Sequence, residues 1–75
     1  MSRHIQFVNA MMKQIRDPSP EVAAYIRQYQ ANVPILTNDN ASDEDKEAAL
    51  DASISRFYRC TKAEQQQLIS IQKEH

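Results

Sequence analysis

The sequence predicts an all-α protein: a small bundle of three or four short helices, completed by dimerisation. Apolar residues recur at helical spacing in every segment that has a period. No alternating run is long enough to make a strand with a second run to pair with it. The chain has 75 residues and a single cysteine. A chain of this length buries only about 60% of its unfolded surface. It therefore gains from close helix packing or from a second chain.

One domain over 1–75 is expected, with helices over about 2–16, 20–32, 43–60 and 62–73 and a loop over 33–41. In the first helix Ile5, Val8, Met12 and Ile15 form an apolar stripe, with Phe7 and Met11 in a second stripe beside it. Asp17-Pro18 ends it, because the residue before proline avoids the α region. Ser19-Pro20-Glu21 combines a capping serine, a proline suited to the first helical position and an acid at the positive helix end. Val22, Ile26, Tyr29 and Val33 follow at helical spacing, and Tyr25 widens their stripe. Asn32 is the expected helix end, with Pro34 holding Val33 extended and Ile35 and Leu36 folding back onto the core.

Ser42 opens the third helix, and the acids that follow suit its first turn. Ala49, Leu50, Ile54, Phe57 and Tyr58 give its apolar face. Thr61 with Glu64 matches a capping box and opens a fourth helix, whose Leu68, Ile69 and Ile71 point inward. One continuous helix from Asp43 to the end is the alternative.

The composition excludes several chemistries. With no glycine, the chain lacks the residue that phosphate-cradling loops, dinucleotide fingerprints and calcium hands require. Aligning a calcium loop on Asn38 puts Asp43 where glycine is needed and Ala49 where a bidentate glutamate is needed. The acids of 39–51 read instead as a solvated helix start. His4 and His75 sit near opposite ends with no neighbouring ligand types, so both are expected at the surface and no metal site is expected. Cys60 lacks a sequence context for a catalytic triad and reads as a small, half-buried hydrophobe. No catalytic residue, cofactor or enzymatic activity is expected.

One cysteine cannot form an internal disulfide, and no signal pattern or membrane-length apolar run is present. A soluble protein in the reducing cytoplasm is the expectation. The net charge of −1 gives no bulk attraction to nucleic acid or to an anionic membrane. A helix-turn-helix reading of the last two helices has glutamines that suit adenine but few lysines for phosphate.

These features point to a non-catalytic protein that binds another protein and modulates or inhibits it, as a homodimer. A helical DNA-binding transcriptional regulator is the alternative. If the Ile5 stripe faces the core, Phe7 and Met11 are left near the surface as binding anchors, with Lys13 and Arg16 as flanking charges; the alternative is that Phe7 and Met11 pack against the second helix. Arg56, Tyr58 and Arg59 form the second candidate contact, since arginine and tyrosine are favoured interface residues.

Overall fold

The computed structural model of the chain describes residues 2–74. Among them are four α-helices and no strand: α1 (Arg3–Gln14), α2 (Pro20–Leu36), α3 (Asp43–Phe57) and α4 (Lys62–Glu74). The single-helix alternative for the C-terminal half is excluded by the turn at 58–61.

The helix starts follow from short-range chemistry. The hydroxyls of Ser2, Ser19 and Ser42 each accept a hydrogen bond from a backbone N–H three residues on, capping α1, α2 and α3. At α4 the box closes from both sides. The Thr61 N–H donates to Glu64 Oε1 at 2.8 Å, and the Glu64 N–H donates to the Thr61 hydroxyl at 3.2 Å.

Glu64 also reaches across the fold. Its other carboxylate oxygen accepts from the Ser19 hydroxyl at 2.6 Å, which ties the start of α4 to the start of α2. These bonds, Ser19 first and the Thr61 backbone next, hold the carboxyl below its ordinary value of 4.5. A carboxyl lowered in the folded state stabilises the fold above its unfolded pKa, and that contribution is lost as pH falls through the folded value. Glu64→Gln should therefore melt at a lower temperature than wild type at neutral pH, with the gap closing below about pH 4. Melting curves across that range check this. A gap unchanged from neutral to acid would show that the clamp carries no charge-dependent stability.

The second helix runs further than its sequence predicts. Pro34 lies inside its last turn, and the helix continues to Leu36. Proline at that position removes one backbone donor. The end is re-secured by Thr37, whose N–H and hydroxyl both donate to the Val33 carbonyl, at 3.0 and 2.7 Å. Leu36 packs against the core, which favours the extra turn. The loop is thus 37–42, where the Asn38 side chain accepts from the Asn40 N–H at 2.9 Å.

Asn32, expected as a helix end, is instead a buried polar contact between α2 and α3. Its amide donates to the Ala49 carbonyl at 2.6 Å and to the Ser53 hydroxyl, and its oxygen accepts from Gln28 at 3.0 Å. Both donors and the acceptor are satisfied, so burial carries no penalty of an orphaned group. Around it α3 presents small residues, with Ala49 and Ser53 its buried positions. Small side chains let two helices approach closely.

The packing of α1 corrects part of the expected stripe: Val8 is buried and Ile15 packs against the core as expected, but Met12 is not inside. Phe7 and Met11 are core residues, 3% and 0% exposed, while Met12 is 55% exposed and Ile5 and Ile15 lie at the edge. The physical reason is the neighbour. Phe7 meets Tyr29 of α2 edge-to-face, with centroids 5.0 Å apart and planes at 86°. That geometry adds about 0.5–1.5 kcal/mol beyond area burial. Met12 is left outside, where its thioether accepts from the Gln30 amide at 3.0 Å. Phe7 and Met11 are therefore not surface anchors.

Candidate functional site: an apolar groove between α3 and α4

The helices pair as α1 with α2, α2 with α3 and α1 with α4. The turn at 58–61 joins α3 to α4, but each rests on a different helix. Between them lies a groove of about 340 Å³. Its floor is Tyr25 and Tyr29 of α2, Phe57 of α3 and Leu68 of α4. Its walls are Leu50, Ile54 and Tyr58 on one side and Ile69 on the other, with Gln72 as a polar neighbour.

The walls are exposed. Ile54 is 50% and Tyr58 70% accessible, and Leu50 and Ile69 are also on the surface. The sequence places Leu50 and Ile54 on the inward, apolar face of α3, and the structure corrects this; Tyr58, a candidate contact residue, is exposed. Ala49 and Ser53 meet α2, which turns the large apolar residues of the same helix into the groove. Ile69 is likewise turned outward, whereas Leu68 and Ile71 are buried as expected.

All five phenylalanines and tyrosines of the chain join one array beneath and beside this groove. Tyr25 lies 6.0 Å from both Tyr29 and Phe57, and Phe57 meets Tyr58 edge-to-face at 5.6 Å and 82°. Burial pushes the Tyr25 hydroxyl far above its ordinary range, with Tyr29 and Cys60 adding to the shift. Burial also raises Tyr29, and Arg3 partly opposes it. Both phenols therefore stay neutral and act as rigid amphipathic flooring. The Tyr29 hydroxyl is bonded to Nδ1 of His4 at 2.8 Å, so His4 is a half-buried partner of the floor, not a surface residue.

The remaining candidate residues lie elsewhere. Lys13 and Arg16 are exposed at the end of α1 and just beyond it, and neither lines the groove. Arg56 and Arg59 border a separate cleft of about 230 Å³ with Pro20, Glu21 and Ala24. Of the residues singled out in the sequence, Tyr58 alone lines the groove. Helical period alone points Leu50, Ile54 and Ile69 toward the core. The available signal was the small-residue face of α3, Ala49 with Ser53, which competes with Leu50 and Ile54 for the position against α2.

Cys60 is buried, and its thiol donates to the Arg56 carbonyl at 3.6 Å. Burial raises the thiol, and the carboxylates of Glu64 and Glu21 raise it further. Thiolate is the reactive form. A thiol reagent at neutral pH should label the native protein slowly and the denatured protein fast. Rapid labelling of the native form would contradict this environment. Among the described residues no group of three or more histidine, cysteine or acidic side chains is placed to hold a metal ion. No helix among them is long and apolar enough to cross a membrane.

The fold and groove define a class: a small helical protein with an open interhelical apolar face. Comparison with protein-family models, with curated proteins and with solved structures found no match to the chain.

Proposed function

We propose that this chain is a non-catalytic protein that binds another protein and modulates or inhibits it through the α3/α4 groove. One observation supports the reading above others: four large apolar side chains stand exposed around an aromatic floor. Contiguous exposed apolar surface marks interaction sites more often than it occurs by chance on a monomer. Tyrosine flooring supplies contact area at low conformational cost.

The test is capture from the native cell with wild type and Ile54→Asp side by side, read by quantitative mass spectrometry. The expected result is a protein retained by wild type and lost with the variant. Partners that bind both forms equally would place the site elsewhere.

The DNA-binding alternative has one feature in its favour: α3 and α4 are joined by a four-residue turn, 58–61, the length seen in helix-turn-helix units. The exposed row of α4 carries only Lys62 and Lys73 as cations, too few for the phosphate contacts that dominate DNA affinity. A salt-dependent gel shift decides between the two.

A further inference from the structure

The two lips of the groove differ in charge. On α3, Asp43, Glu47 and Asp51 recur every four residues and are exposed. Glu47 and Asp51 lie three residues before Leu50 and Ile54, so the carboxylates form the row beside the apolar wall. On α4, Lys62, Gln66, Ile69 and Lys73 make one exposed stripe, with Ile69 between the lysines. One lip is acidic and the other basic, with apolar side chains inside both.

We infer that a second copy of this chain docks on the groove, with α3 of each protomer lying over α4 of the other. The inference rests on the same reading of the groove as a protein-docking face, and it names an occupant. A two-fold interface sets the same patch of each subunit against itself. If the axis runs along the groove, the acidic lip of one copy meets the lysine lip of the other, twice. If the axis runs across the groove, α3 meets α3, and three exposed carboxylates of each copy face their counterparts with only the partly buried Lys46 nearby as a cation. Charge therefore selects the first arrangement, while Leu50, Ile54, Tyr58 and Ile69 of both copies supply the buried apolar centre. A domain of 75 residues with no disulfide gains from that burial. An outside partner and the second copy then compete for one face.

Sedimentation equilibrium over a range of concentrations tests this on the full chain, with circular dichroism as the check on folding. Wild type should show a monomer–dimer equilibrium, weakened by salt. The pair Glu47→Lys with Asp51→Lys should weaken self-association about tenfold, as should Lys62→Glu with Lys73→Glu. Mixing the two variant proteins should restore a dimer, because each lip again faces its opposite charge. Ile54→Asp should abolish the dimer while helicity is retained. A wild type that stays monomeric at all concentrations overturns the inference, as does a dimer untouched by Ile54→Asp or mixed variants that do not recover. Monomeric wild type with groove-dependent capture of another protein would sink the dimer and leave the proposed function standing. A charge-swappable dimer that captures nothing else through the groove would do the reverse.

Discussion

Met11→Ala is expected to cost about 2–5 kcal/mol, the usual range for emptying a fully buried methionine or leucine position. Met11 is wholly inaccessible, on a helix that packs against both α2 and α4. A domain of this size has a total stability of only about 4–11 kcal/mol, so this one truncation removes a large share of it. Phe7→Ala should cost about 3–5 kcal/mol, because it also removes the edge-to-face contact with Tyr29. Each kcal/mol is worth about 4–8 °C in melting temperature at this length. Thermal or urea melts followed by circular dichroism give the answer directly. If either variant melts within about 3 °C of wild type, the burial of that side chain does not operate in solution.

Ile54→Asp should behave in the opposite way. Its side chain is half accessible and lies on the groove wall, so at concentrations where wild type is monomeric stability should change by less than about 0.5 kcal/mol. Binding at the groove should weaken by about thirtyfold or more, because truncating a central anchor costs about 2 kcal/mol and the new carboxylate adds desolvation. Tyr58→Ala should weaken binding too, whereas Arg56→Ala with Arg59→Ala should have a small effect, since those arginines border a different cleft. The pair of results separates core from surface: Met11→Ala loses stability, and Ile54→Asp loses association. Ile54→Asp that unfolds the monomer would mean that this wall is packed within the chain itself. Ile54→Asp that keeps both stability and binding would remove the groove from consideration.

The local features were legible in the sequence because their physics is local. The Ser19 cap, the Ser42 cap and the Thr61–Glu64 box each close through bonds spanning three residues, so residue type and spacing suffice. The same holds for the start of α4 at Lys62, although α3 ends at Phe57 and not at about 60 as its period suggests, and for the inward stripe of Val22, Tyr25, Ile26 and Tyr29, where only one helix face is apolar enough to bury.

Where a helix offered two usable faces, period could not choose between them. On α1 the choice fell to Tyr29 of α2, 22 positions beyond Phe7, whose ring gives Phe7 an edge-to-face partner that Met12 cannot use. On α3 the choice fell to Asn32, whose amide bonds Ala49 and Ser53 and so fixes the small-residue face against α2. Pro34 stayed helical because Leu36 had core to reach and Thr37 could re-secure the Val33 carbonyl. The sequence by itself determined the helices, their starts and the all-α class. Only the tertiary structure decided which faces meet, and hence that Leu50, Ile54, Tyr58 and Ile69 stand around an open groove. Burial of a face depends on what the rest of the chain presents to it, and no spacing within one helix carries that information.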